Sequence, residues 1–275
     1  MEDLRGYKKW FASEIETSYG APLRVFKHSL FSDILPIFEN LSQQAKQQGE
    51  AYFNRIGSTP FGNYEVDMAD VADEANDLSL RWYLSTKVVR QTVINLMSVG
   101  IYHLVEQQLA AACQFYVKLH PSNEQSSKKL PKDRTLEELG KWFLSNFELD
   151  LKVLNSYEQI VELRLVANSI KHGEGKSLTA LKLRRKDMFC EPNCMPAPDP
   201  FLEENPDSNP SLEANLDPNL LSEENVVVNP LGGEDLFVTV GDLQKYIDTA
   251  LFFFMEIAQS IQANCESSVG RRLYK

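Results

Sequence analysis

The stretch 162–177, ELRLVANSIKHGEGKS, holds the side chains in this chain best suited to chemistry. A helix turns about 100° per residue, so relative to Arg164, Asn168 falls at roughly 40°, Lys171 at about −20° and His172 at about 80°. Leu163, Val166 and Ile170 fall on the opposite side. One face can pack while the other gathers a guanidinium, an amide, an ammonium and an imidazole. Two fixed cations beside a group that titrates near neutrality suit an anionic substrate such as a phosphodiester.

Most amphipathic helices turn a polar face to water with no further purpose. Two features set this face apart. No carboxylate lies between Arg164 and His172, so no i,i+4 partner on the helix offsets the cations. Gly173 follows His172 at once, which marks a helix end and leaves the imidazole on the last turn, where the helix dipole favours a cation.

Other chemistries fit poorly. Gly173-Glu174-Gly175-Lys176-Ser177 contains a GKS triplet, but it lacks the Gly spacing of a phosphate-binding loop and follows a helix pattern. No GxSxG elbow is present. His28, His103, His120 and His172 form no pair at metal spacing, and Cys190 and Cys194 have no further ligands nearby, so no metal or other cofactor is expected. Cys113 sits in an apolar run and reads as a small core residue. His103 and Glu106 share a helix face; His103 reads as a core or interface histidine, with a place near the stripe as the other reading.

The chain has 275 residues, 43% of them hydrophobic, which is enough for one sizeable core. Its net charge of −11 argues against a broad nucleic-acid-binding surface but leaves room for a local basic site. The basic runs at 182–186 and 270–272 read as solvated charge. The first residues carry charge rather than an apolar leader, and no unbroken apolar run has the length of a membrane span. The expectation is a reduced, cytoplasmic protein with no membrane contact.

The elements that must hold the stripe are helical. Residues 30–48 start as an apolar periodic run and end in a Gln-rich turn before Gly49, and 50–78 read as a loop with short structure. A 3.6-residue period runs over 78–119, about 60 Å of helix, with Gly100 as a potential kink. After a polar linker, Thr135 starts a helix to Phe147 whose Trp142, Phe143 and Phe147 close the core. The stripe helix follows over 152–172, and Ser177 caps another to Met188. Residues 190–233 are rich in Pro, Asn, Asp and Glu and read as a mobile acidic insertion, either a solubilising segment or a cover for the cations. A short extended stretch over 236–240 leads into a last helix over 241–263, within a C-terminal unit 236–265. Its wide apolar face suits burial in the bundle or at a subunit contact. The expected organisation is one all-α domain: an N-terminal helical extension and loop to 77, a core bundle over 78–188, the insertion, and the C-terminal helix.

In ELRLVANSIKHGEGKSLTALKLRRKDMF and in YHLVEQQL at 102–109 the chain resembles the HEPN superfamily of helical bundles, over about residues 80–190. Seven residues separate Arg164 from His172 and Leu165 follows the Arg, a longer and less polar spacing than that family's usual motif. The resemblance implies a homodimer whose motifs meet in a shared cleft. It also implies a metal-independent endoribonuclease acting on single-stranded RNA, in a toxin or anti-phage defence setting. His172 would then be the general acid or base, Arg164 the brace for the phosphate, Lys171 a second cation and Asn168 an orienting group. A partner protein that inhibits or directs the activity is left open. The alternative is a HEPN-like module that binds nucleic acid or protein without cleaving. A third reading is an adaptor working through the insertion and last helix.

Overall fold

The computed structural model describes residues 2–59, 67–119, 130–173, 175–189 and 236–270. The acidic segment 190–233, His120, Cys190, Cys194 and Arg271-Arg272 lie outside these. The described residues are all-α, without strands. Eight α-helices run in order: α1 (Glu2–Glu14), α2 (Ala21–Ser29), α3 (Leu41–Gly57), α4 (Met68–Leu119), α5 (Leu136–Phe147), α6 (Tyr157–His172), α7 (Lys176–Arg184) and α8 (Val240–Gly270). One-turn π or 3-10 segments lead from α1 through α2 towards α3 and follow α7.

The core is built around α8. Its Leu243, Tyr246, Ile247, Ala250, Phe253, Phe254 and Ile257 are buried, with Phe252 left exposed. That stretch has apolar residues on all but one side, so it packs against α1, α2, α4 and α6 together. Helices α1 and α2 contribute to this core: Phe11, Ala12, Ile15, Leu23 and Leu30 have no exposed surface. Phe11 stacks on Phe147 at 5.3 Å between ring centroids, and Tyr116 meets Phe147 edge-on at 4.8 Å. The aromatic closure expected of α5 is therefore in place. Its start is as expected too: Thr135 is the N-cap, its hydroxyl accepting from the Glu138 amide at 3.4 Å.

Helix α4 differs from expectation. It is a single helix of 52 residues beginning at Met68, so 68–78 is not loop. Gly100 does not break it; a side chain there would crowd the Phe26 ring, at 3.3 Å from an added Cβ. The second half of α4 supplies Ile94, Ile101, Val105, Leu109 and Cys113 to the core. The first half pairs with α3, which runs straight through the Gln-rich stretch and Gly49. Gly49 is an approach point, not a turn: a Cβ would lie 2.1 Å from Ser79 Oγ and 2.7 Å from the Ala75 carbonyl oxygen. By length and composition α4 also contains an 18-residue window apolar enough to cross a membrane, 33% of it buried, although polar residues interrupt it.

Two polar clusters fix the remaining elements. Segment 236–239 is irregular rather than extended sheet. Asn95, fully buried on α4, donates to the Leu236 carbonyl at 2.9 Å, and Gln91 donates to that of Val238 at 2.9 Å. The Phe237 amide donates to the Met188 carbonyl at 2.7 Å, so the chain returns after 190–235 to the point where it left. Beside it, Arg185 binds Glu162 of α6 at 2.8 Å, Asp242 of α8 at 2.8 Å and Asp187 at 2.7 Å. Tyr246 donates to Glu162 at 2.9 Å, and Thr239 donates through its hydroxyl to Asp242 at 2.6 Å. The run 182–186 is thus not free solvated charge, because Arg184 also pairs with Glu158 at 2.7 Å. Arg185→Ala leaves Glu162 and Asp242 buried without their cation, and should cost about 3 kcal/mol of stability. Urea unfolding of the variant against the parent measures this; a loss below about 1 kcal/mol contradicts the role given to the cluster.

Candidate functional site

Helix α6 carries the candidate residues, and its start is fixed from α8. The Glu256 carboxylate accepts from the backbone N–H of Asn155 at 3.1 Å and of Ser156 at 3.0 Å, and from the Asn155 amide at 2.8 Å. It stands in for the missing side-chain cap of Ser156 and places a negative charge at the positive end of the helix dipole. The helix begins at Tyr157, not near 152; residues 151–153 form a separate turn. Leu163, Val166, Ala167 and Ile170 are buried against the core. Gly173, at φ 62°, ends the helix, its N–H donating to the Ser169 carbonyl at 2.9 Å.

Opposite that buried side, Arg164 and Asn168 are half-buried and Lys171 and His172 are exposed. Arg164 and His172, eight positions apart, are separated by about 12 Å along the axis. The side chains of Lys171 and His172 make no hydrogen bond or ion pair among the described residues. Arg164 is different: its guanidinium is ion-paired with Glu137, in the first turn of α5. The absence of a carboxylate on α6 itself hid this, because the partner lies 27 positions away in sequence. Among the described residues the site is a face exposed at Lys171 and His172. A cavity of about 810 Å³ lies elsewhere, between α3 and α4, with Lys46, Glu50 and Asn76 in its walls.

Next to the stripe, α4 contributes a residue pair of its own. Tyr102 is buried and donates to Glu106 at 2.7 Å. Burial, then the Glu106 bond, push its hydroxyl well above the ordinary tyrosine range, while the Arg164 charge opposes this. Tyr102 therefore stays protonated as a donor. His103 is not a core histidine: it is exposed, with its Nε2 2.8 Å from the Gln107 amide nitrogen on the same helix. Among the described residues no three His, Cys, Asp or Glu side chains converge as metal ligands.

The Arg185 cluster anchors the buried flank of α6 through Glu162, and spacing did not reveal it. Glu162 reads as one more polar residue before the stripe, yet it is only 8% exposed. Burial pushes the Asp242 carboxyl up, but the Thr239 bonds and Arg185 outweigh this and hold it below the usual range. No family model matches this chain, and neither does any curated protein or solved structure.

Glu256 gives the pH test of how α6 is held. Burial opposes its ionisation, but the bonds from Ser156 and Asn155 outweigh this and lower its pKa from 4.5. A lowered carboxylate pKa adds stability that is fully present above the unfolded value and is lost as pH falls through the folded one. The parent should therefore lose part of its unfolding free energy below about pH 4.5. Glu256→Gln should be less stable at neutral pH and show a shallower acid slope, read by denaturant midpoints from pH 7 to pH 3. Parallel slopes for the two proteins would discount Glu256 as an ionised cap.

Proposed function

We propose that the polar face of α6 is a site for single-stranded RNA and that His172 catalyses metal-independent cleavage there, as in a HEPN-like endoribonuclease. The observation that carries this reading is the pair Lys171–His172. Both are exposed, on the last turn of a helix whose other side is locked in the core. A rigid helix end presenting an imidazole beside an ammonium is an economical device for phosphodiester chemistry, because RNA brings its own nucleophile.

In this mechanism the His172 imidazole takes the proton from the ribose 2′-hydroxyl. The 2′-oxygen bonds to phosphorus, the bond from phosphorus to the 5′-oxygen breaks, and that oxygen takes up a proton. The products are a 2′,3′-cyclic phosphate and a free 5′-hydroxyl. Lys171, next to the imidazole, offsets charge on the scissile phosphate. Arg164, about 12 Å along the axis, holds the strand further on, with Asn168 between them. A second copy of the chain would add a second His172, so that base and acid need not be the same group. A homodimer is therefore part of the proposal, and an effector role in defence or toxicity is its biological form.

One observation favours a second reading, a module that binds RNA without cutting it. The Arg164 charge is already met by Glu137 in the free protein.

Incubation of the purified protein with labelled single-stranded RNA in excess EDTA tests both. Wild type should cut and leave cyclic-phosphate ends, and His172→Ala should slow cutting by about 100-fold or more with unchanged helical circular dichroism. Equal cutting by both proteins removes His172 from the mechanism. RNA retained intact by a folded wild type, with binding lost in Lys171→Ala, establishes the binding module instead.

A further inference from the structure

We propose that Glu137 is a specificity-determining residue of the α6 site: its carboxylate occupies the Arg164 guanidinium and yields it to a phosphate but not to another carboxylate. This rests on the RNA reading above and adds the rule by which ligands are admitted. The pair joins two helices, α5 and α6, and both side chains keep substantial exposure, 33% for Arg164 and 43% for Glu137. An ion pair so exposed contributes little net stability, so its exchange for another anion is nearly free of cost.

What decides the exchange is what each partner does afterwards. Glu137 lies in the first turn of α5, where the helix dipole stabilises a carboxylate with or without Arg164. Its neighbour Glu138 is already paired with Lys141, and Glu106 is held by Tyr102, so Glu137 is the carboxylate matched to Arg164. A guanidinium binds phosphate through two parallel N–H donors, with oxygens left over for Asn168, one turn further along α6. A peptide carboxylate offers Arg164 only the two oxygens that Glu137 already supplies, with none left over for Asn168. On a chain of net charge −11, such a filter admits RNA and refuses acidic protein segments.

The test is a double-mutant cycle in a His172→Ala background, which separates binding from cleavage. A fluorescent single-stranded RNA oligonucleotide is titrated in EDTA at fixed ionic strength, with an oligoglutamate peptide as competitor. Glu137→Gln should bind RNA about three- to tenfold tighter. It should also let oligoglutamate compete, lowering the preference for RNA over the peptide. Neither change should appear when Arg164→Ala is also present. An unchanged RNA affinity, an unchanged preference, or the same gain without Arg164 overturns the proposal. Absence of RNA binding by all four proteins overturns the RNA reading itself, and this inference with it.

Discussion

The Arg185 guanidinium stands where the end of α7, the middle of α6 and the start of α8 meet. One half-buried cation among three carboxylates would be a poor arrangement if the guanidinium were their only donor, since desolvation would offset much of the attraction. The cluster works because Glu162, buried, and Asp242, half-buried, each have further donors. Tyr246 serves Glu162, and the backbone and hydroxyl of Thr239 serve Asp242. Asp187 stays largely in water, so its charge needs less. Arg185, in turn, is held firmly protonated, first by Asp187 and then by Asp242 and Glu162, against the cost of its burial. This network gives the small loop-rich side of the bundle a fixed geometry, and through Glu162 it sets the rotation of α6 and hence which face is left for the stripe.

Helix α4 follows from a constraint of size. At 52 residues it is about 78 Å long, whereas a compact domain of 275 residues is only about 50 Å across. It cannot lie wholly within one core. The half bearing Ile94 to Tyr116 is inside, and the other half leaves the bundle and takes α3 as its cover. Gly49, Ala45, Ala75 and Ser79 let the two helices approach closely there, so small residues supply the contact that larger ones supply in the core. Val89 and Leu96, near the junction of the two halves, remain exposed at 52% and 46%.

Much of the architecture was legible where one local signal sufficed. The Thr135 cap, the apolar face of the last helix and the Gly173 stop each act within a few residues, and each stands in the fold as the pattern indicates. Failures came where a residue's meaning depends on a distant partner. Gly49 looks like a breaker, because a lone glycine cannot report that Ser79 packs against it. The run at 182–186 looks like solvated charge, because nothing local names Glu158, Glu162 or Asp242 as its acceptors. The stripe itself was legible as a helical face, but the state of its members was not. Arg164 is paired by α5, and only Lys171 and His172 stand clear of the body.

That difference bears on what kind of ligand the face can hold. Binding of nucleic acid through phosphates draws its strength from the cations that become paired. Here two cations and a titratable imidazole lie on a chain whose overall charge repels polyanions at long range. On the RNA reading proposed above, affinity would have to come from close contact over one or two phosphates rather than from a long track. A site of that size selects by geometry at the contact. Helix α6 is capped from α8 by Glu256, anchored by Arg185 and ended by Gly173, so the two exposed side chains project from a base fastened to its neighbours. Rigid support beneath few charges is what a reaction site requires and what a general polyanion-binding surface does not.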